Sequence, residues 1–345
     1  MKQRVIIQKT SQLSTVKNAG ELGVLLKTHP ATLALLSLHP QYKTYQARKK
    51  NGQFRLIEDP EKKLKTVQRS LNEYLQAWYH TVKPDAVHGF CISADHEDAK
   101  GIVSNASAHL GKPWLLNMDM QDFFHQVSVE CVSENLASVL KKADKETIKT
   151  LAGLTTYKQR LPMGAPTSPV LSNICSRSLD ATLINICHHA GLLYTRFADD
   201  LSFSSEKPIT TLEQEMVSAA IVQEGFDINH NKTKLYNEND IKIVTGLLLK
   251  EGKVSLPDHY LPQLEKEIEK YTITKEVEYR YCTGMSNKKL QLFEQELLGK
   301  INFAEMILGD DHQLLQPIHQ KWVDATAPLE DFESADWLDI PYNFF

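Results

Sequence analysis

The sequence contains no long apolar run. Stretches such as ATLALLSL at 31–38 are far too short to span a bilayer. The N-terminus, MKQRVIIQKTSQLS, is charged and lacks the apolar core of a secretory signal, so a cytoplasmic protein without membrane association is expected. Cysteine is scarce as well. The five present (Cys91, Cys131, Cys175, Cys187 and Cys282) form no CxxC pair and are odd in number. Reduced, mostly buried thiols are expected, rather than a disulfide framework or a zinc site. Repeats and low-complexity tracts are missing. So is a basic excess: 39 Lys and Arg stand against 43 Asp and Glu, for a net charge of −4. That runs against the usual balance of a nucleic-acid binder.

What is present is an ordinary globular composition. The 345 residues are 42% hydrophobic and 24% charged, with room for two or three subdomains. The charge is unevenly spread. Tyr42 to Arg69 carries nine Lys or Arg against three Asp or Glu. From Trp322 onward there are six acids (Asp324, Glu330, Asp331, Glu333, Asp336 and Asp339) and no base. Without those six the balance would be +2, and a local basic patch binds phosphates whatever the total. Taken alone, any one such run also reads as a solvated face.

Along the chain, residues 11–47 read as helical pieces broken at Pro30 and Pro40. NGQFRLIEDP (51–60) reads as a turn at Asn51-Gly52 and then a strand. In 64–82, apolar residues at 64, 67, 71, 74, 75 and 78 keep helical spacing. Helices are also expected at 96–110, 133–152, 169–191, 210–225 and 262–308. Pro169 suits the first turn of its helix, with Thr167 or Ser168 as N-cap. WLLNMDMQDFF (114–124) reads as a buried strand running into a turn, 193–205 as a hairpin, and KIVTGLLLK (242–250) as a strand. The last twenty residues look extended or loosely docked.

The hairpin poses the functional question. YTRFADDLSFSS (194–205) places two adjacent carboxylates, Asp199 and Asp200, at its tip, where like charges repel. A strand end that also carries Asp119 would bring a third acid to the same place if the two elements shared a sheet. Three carboxylates from strand ends suit a pair of Mg²⁺ ions, hard cations that take oxygen ligands. Two metals about 4 Å apart stabilise both the attacking and the leaving oxygen of a phosphoryl transfer. A bare Asp-rich turn in solvent is the plainer alternative.

The order of the motifs resembles that of reverse transcriptases. FADD is similar to their YxDD box, with Phe197 in the aromatic place, and Asp119 followed by Phe124 resembles their first catalytic motif. LPMGAPTSPVLSN (161–173) resembles LPQGxxxSPxLSN, EGFDINHNKTKL (224–235) resembles GxxxNxxKT, and FRLIEDPEKKLKTVQR (54–69) resembles the R-x-I-x-x-P fingers motif. VHGF (87–90), SNASAHLGK (104–112), KIVTGLLL (242–249) and LLGKINFAEMI (297–307) narrow the resemblance to bacterial retron reverse transcriptases. It covers roughly residues 50–310, and each motif alone is weak.

That resemblance implies an α+β right-hand polymerase: a helical N-terminal extension (1–50), fingers (51–113, with 125–160 shared with the palm), a palm with an antiparallel sheet (114–250), a helical thumb (251–310) and an acidic, aromatic tail (311–345). It implies an RNA-directed DNA polymerase. Asp119 and Asp199 would hold two Mg²⁺ ions (or Mn²⁺) together with the Met120 backbone carbonyl, with Asp200 in support. Arg55 would clamp the triphosphate of a dNTP, helped by Lys63, Lys65 and Arg69. Phe124 would exclude a ribose 2′-OH, with Phe123 in the core. Gly164 and Ala165 would admit the nascent pair, and Lys232 would stand near the pyrophosphate as a proton donor. Lys63, Arg69, Asn105, His109, Thr245, Arg280, Lys288, Lys289 and Lys300 would serve as scaffold or RNA contacts. The implied partners are a structured noncoding RNA, its branched RNA–DNA product (msDNA) and a separate effector protein.

Two features depart from the pattern. Met163 stands where the family usually has Gln, and it packs where Gln would hydrogen-bond. The tail aromatics (Trp322, Phe332, Trp337, Tyr342, Phe344 and Phe345) are unlike a nucleic-acid surface and suggest docking onto a partner or onto the enzyme itself. Another bacterial reverse-transcriptase class and a non-catalytic RNA-binding scaffold remain as alternatives, the second opposed by the three intact aspartates.

Overall fold

A computed structural model describes residues 1–48, 52, 54–281 and 287–328. The chain divides into two compact units, Met1–Val254 and Ser255–Phe345. Among the described residues, no helix is long and apolar enough to cross a membrane.

The first unit opens with α1 (Gln3–Thr15), α2 (Ala19–Leu25) and α3 (Pro30–Leu38). Pro30 starts α3 rather than breaking a helix, because its fixed φ and missing N–H suit a first turn. The expected helical extension stops there. YKTYQAR is instead strand β1 (Tyr42–Arg48), paired antiparallel with β2 (Phe54–Pro60) from Tyr42↔Pro60 to Arg48↔Phe54. Asn51, the expected turn residue, lies outside the described residues.

Helix α4 (Lys62–His80) follows the sequence periodicity, burying Leu64, Val67, Leu71 and Leu75 along one stripe. The 96–110 segment yields only a short α5 (Ile102–Ser107). Next come β3 (Trp114–Asp119) and the single turn α6 (Phe123–Gln126). Two helices, α7 (Val129–Val139) and α8 (Lys145–Thr155), stand where one was expected, and Ser128 and Asp144 cap their N-termini. Likewise 168–190 splits into α9 (Ser168–Cys175) and α10 (Arg177–Ala190). Thr167 is the N-cap of α9, without a side-chain capping bond.

Strands β4 (Leu193–Phe197) and β5 (Asp200–Ser205) form the expected hairpin, followed by α11 (Thr211–Gln223) and β6 (Lys234–Tyr236). The 242–250 segment is a second hairpin rather than one strand: β7 (Lys242–Val244) and β8 (Leu247–Lys250). Thr245 (φ 47°) and Gly246 (φ 81°) make its turn, a left-handed pair that reverses the chain in two residues. Strand β9 (Lys253–Ser255) joins the β7-β8-β9 sheet.

The central sheet has the order β4-β5-β3-β6, all antiparallel. Register sorts its faces, because directly opposed residues share a side. One face carries Leu116, Met118, Tyr194, Leu201 and Phe203, which join the main core with α4, α9 and α10. The other face is layered. Phe197, Asp200 and Asp119 form the top row, Thr195, Ser202 and Asn117 the middle, and Leu193, Ser204 and Leu115 the bottom.

The second unit contains α12 (Tyr260–Tyr281), α13 (Asn287–Leu308) and α14 (Gln316–Thr326). Leu264, Ile268, Tyr271, Leu297 and Ile301 form its core. Trp322, expected in the acidic, aromatic tail, sits on α14 with its ring 5.9 Å from that of Tyr271. Lys275 fastens this helix by donating to the Ala325 carbonyl at 2.9 Å and the Ala327 carbonyl at 2.6 Å. Cys282 and the remaining tail aromatics lie outside the described residues.

Candidate active site

The three aspartates meet where two strand ends adjoin. Asp119 ends β3 directly opposite Asp200, the first residue of β5, and Asp199 occupies the turn before it. They come together because β3 and β5 are neighbours in one sheet. The turn is strained: Ala198 has φ 58°, unfavourable for a residue with a Cβ. The Met120 N–H donates to the Asp199 carbonyl at 3.0 Å and closes the turn onto β3.

The electrostatics are those of crowded like charge. Burial, then the charges of Asp199 and Asp119, push the Asp200 carboxyl up to about 7. Asp199 is raised by burial and by Asp119, with Lys232 and Arg55 acting in the opposite direction. Asp119 is held by two donors. Asn229 Nδ2 lies 3.0 Å from its Oδ1 and Lys232 Nζ lies 2.7 Å from its Oδ2. Burial alone would lower the Lys232 ammonium, but the hydrogen bond and the three carboxylates raise it overall. Among the described residues, no three His, Cys, Asp or Glu side chains are closed into a ready ligand cage. The donor set nonetheless fits a hard dication, with oxygen ligands only and a mutual repulsion that a cation offsets.

The surrounding residues come from several elements. Arg55 is exposed on β2, and its charge is felt at Asp199. The Met163 carbonyl accepts from the Glu58 N–H at 2.7 Å, which ties the 161–168 loop to the same strand. Glu58 itself is buried and takes both Nη1 (2.8 Å) and Nη2 (3.1 Å) of Arg160. Gly164 (φ 128°) lies so close that an added Cβ would stand 3.0 Å from the Glu58 carbonyl. Phe123 is core, as expected, and Phe124 is half-buried; the two sit on one helical turn, not on an extended segment. The Phe124 ring is 6.0 Å from Phe90, which is 6.4 Å from Phe197. A cavity of about 260 Å³ opens beside the carboxylates, lined by Asn117, Asp119, Asp200, Ser202, Lys232 and Thr245 among others.

VHGF has a direct structural role. Val87 bridges Arg196 in parallel, and the His88 N–H donates to the Arg196 carbonyl at 2.8 Å. Gly89 then passes so close behind the turn that carries Asp199 that a Cβ would meet the Ala198 nitrogen at 2.5 Å. Glycine is required there for approach, not for φ.

The expected RNA contacts divide. Lys63, Arg69, Lys288 and Lys289 are exposed, and Thr245 lines the cavity. The Arg280 side chain lies outside the described residues. Asn105 and His109 are buried, so they reach no RNA and act as scaffold. His109 Nδ1 meets Ser204 Oγ and Nε2 meets Thr195 Oγ1, each at 2.7 Å, and burial lowers its pKa to about 3. Lys300 is turned to Glu267 (2.6 Å) and Glu296 (2.7 Å), which satisfies its ammonium inside the helix pair.

Sequence reasoning missed four residues that hold the site: Asn229, Asn173, Asp180 and Arg196. Asn229 and Asn173 lie inside motifs already quoted. A charged residue at position 196, between apolar neighbours on the core-facing side of a strand, was the available signal for the rest.

Comparison with known proteins gives the family of the chain. The family described as reverse transcriptase (RNA-dependent DNA polymerase) matches residues 47–279. The Escherichia coli retron Ec86 reverse transcriptase is 27% identical over 277 residues, 79% of this chain and 83% of that protein. The E. coli retron Ec83 reverse transcriptase is 30% identical, covering 68% of this chain and 75% of that protein. The Myxococcus xanthus retron Mx65 reverse transcriptase is 32% identical, covering 60% of this chain and 50% of that protein. Among solved structures, Candida albicans telomerase overlaps 86% of this chain and 62% of its own at 11% identity and a TM-score of 0.47. The α+β architecture with its antiparallel central sheet is that of the right-hand polymerases. The chain belongs to the retron reverse transcriptases and is an RNA-directed DNA polymerase.

Proposed function

We propose that this polymerase makes msDNA: it starts from a 2′-OH of a guanosine in a cognate structured noncoding RNA and copies part of that RNA into DNA joined to it by a branch. The observation that carries the catalytic part is the register of Asp119 against Asp200 with Asp199 in the turn between strands. Asp119, Asp199 and the Met120 carbonyl would hold two Mg²⁺ ions, with Mn²⁺ a substitute, and Asp200 would support them. When bound, the ions supply charge stabilisation to the attacking and leaving oxygens.

The chain's own residues do the rest. Arg55 fits bidentate capture of a triphosphate, since its planar fork matches phosphate oxygens. Phe124, held by Phe123 and Phe90, presents a ring against the sugar and discriminates against a 2′-OH. Met163 and Gly164 form the wall tied to β2 through the Met163 carbonyl, and the Met163 thioether offers no amide to the nucleotide. Lys232 Nζ is the proton source for the leaving pyrophosphate, and the carboxylates beside it keep it charged. Lys63, Arg69, Lys288 and Lys289, all exposed, would contact RNA through phosphate charge. The reading extends to a cytoplasmic antiphage system with a separate effector protein, on the strength of family membership alone.

The test is expression with several hundred bases of native upstream DNA, followed by RNase treatment of total nucleic acid and a denaturing gel. The expected result is a discrete short single-stranded DNA that needs Asp199 and Asp200 and shifts with a 2′–5′ debranching enzyme. Activity on poly(rA)/oligo(dT) without that DNA would replace the msDNA reading with another reverse-transcriptase class. RNA binding with neither DNA nor activity would favour a scaffold.

A further inference from the structure

The turn that carries Asp199 is gripped at each of its three peptide planes by a different part of the chain. Gly89 packs behind the plane between Phe197 and Ala198. The Met120 N–H takes the Asp199 carbonyl at 3.0 Å, which fixes the plane between Asp199 and Asp200. The middle plane carries the Ala198 carbonyl, and it is held by a side chain: Arg196 Nη1 donates to it at 3.1 Å.

Arg196 is fully buried, which is unusual for a charged residue and costly unless every group is paired. Its pairing is complete on the turn-facing side. Nε and Nη2 donate to the two oxygens of Asp180 at 2.8 and 2.7 Å, and Nη1 also donates to Asn173 Oδ1 at 2.9 Å. Asp180 is buried too, and it accepts from Tyr194 Oη at 2.9 Å. Asn173 in turn donates from Nδ2 to the Gly89 carbonyl at 2.9 Å. The network therefore joins α9, α10 and the 86–90 segment to one carbonyl of the catalytic turn. An apolar pair of the same volume would fill this space without its desolvation cost. What it would lack is a donor for Ala198.

We propose that Arg196, oriented by Asp180 and Asn173, is the positioning residue that sets the Asp199 carboxylate for nucleotidyl transfer. The inference rests on the reading of Asp199 as a catalytic carboxylate. Ala198 and Asp199 share the peptide whose oxygen Arg196 holds, so a tilt of that plane moves the Asp199 Cα and everything beyond it. Misplacement by about 1 Å costs roughly 10²-fold in rate. Substrate grip, which comes from Arg55 and the 161–168 loop, would be untouched.

The test uses the full chain and two variants. Asp180→Leu with Arg196→Met replaces the ion pair by apolar groups and is expected to fold. Asn173→Ala keeps the ion pair and removes one of its supports. On poly(rA)/oligo(dT), kcat is expected to fall about 30- to 100-fold in the double variant and about 5-fold in Asn173→Ala. KM for dTTP is expected to stay within about twofold in both, because uniform binding is unaltered. Mn²⁺ binding to the free protein, followed by electron paramagnetic resonance, is expected to weaken in the same order. A merely structural role would lower the folded fraction and leave kcat per folded enzyme and Mn²⁺ affinity unchanged. Either variant, folded and with both quantities at wild-type values, overturns the assignment. Asp199→Ala is the separate control: if it keeps activity, the reading of Asp199 has failed, whatever the two variants show.

Discussion

The polar face of the central sheet has a top and a bottom built on opposite principles. At the top, Asp119, Asp199 and Asp200 crowd like charges, and Asp200 is pushed up to about 7. In the two rows below, Thr195 and Ser204 form with His109 a neutral, fully paired group buried from water. The same strands carry both. The bottom is where polar groups stabilise the fold. The top is where stability is given up to crowd charge in one place, as the proposed metal site requires.

The largest expected effect breaks the top. Asp199→Asn keeps the size and shape of the side chain but removes the charge proposed to ligate metal, and primer extension is expected to fall by at least about 10³-fold. Melting temperature in EDTA is expected to hold or rise. His109→Ala breaks the bottom and should do the reverse. It leaves a cavity and two buried hydroxyls unpaired, at roughly 2–4 kcal/mol of stability by denaturant titration, with kcat per folded enzyme nearly unchanged.

Asp200→Asn sharpens the contrast through pH. In the folded protein Asp200 is raised from 3.8 to about 7, so the native state holds its proton longer than the unfolded chain does. The folded state therefore loses stability as pH rises through about 4 to 7 in EDTA, and Asp200→Asn is expected to regain roughly 2–4 kcal/mol at pH 8. His109 has the opposite sign. Its folded pKa is lowered from 6.5 to about 3, so its contribution is present above about pH 6.5 and is lost as pH falls toward 3. Thermal melts of the two single variants across pH should diverge in opposite directions. The smallest effect is expected at Asn229→Ala, which removes one donor to Asp119 and should slow extension about tenfold, checked by single-turnover kinetics.

Much of this was legible in the sequence because the top row is built from local signals. A strand ending in Asp119, a hairpin with Asp199 and Asp200 at its tip and a Pro-started helix after a Gly/Pro loop are each short-range patterns, and the fold only has to bring them side by side. What failed to read depends on distant partners. Tyr42–Arg48 is a strand because β2 offers it a ladder, which no local propensity reveals. KIVTGLLLK looked like one strand because its turn is only Thr245-Gly246. Asn105 and His109 read equally as scaffold or as RNA contacts, and the burial that decides between the two is a property of the assembled sheet, not of their neighbours in sequence. Trp322 looked like part of an acidic tail until α14 packed it against Tyr271.

The close passage of Gly89 behind the catalytic turn has a consequence for how this enzyme tolerates change. The atoms that an added Cβ would strike at 2.5 and 3.0 Å belong to the backbone of Ala198 and Phe197, not to their side chains. No substitution elsewhere can trim a backbone away, so no second-site suppressor is available to position 89. In a saturation library, Gly52, where a Cβ would meet nothing within 4 Å, would accept replacements that can adopt its φ, and position 89 would return glycine alone.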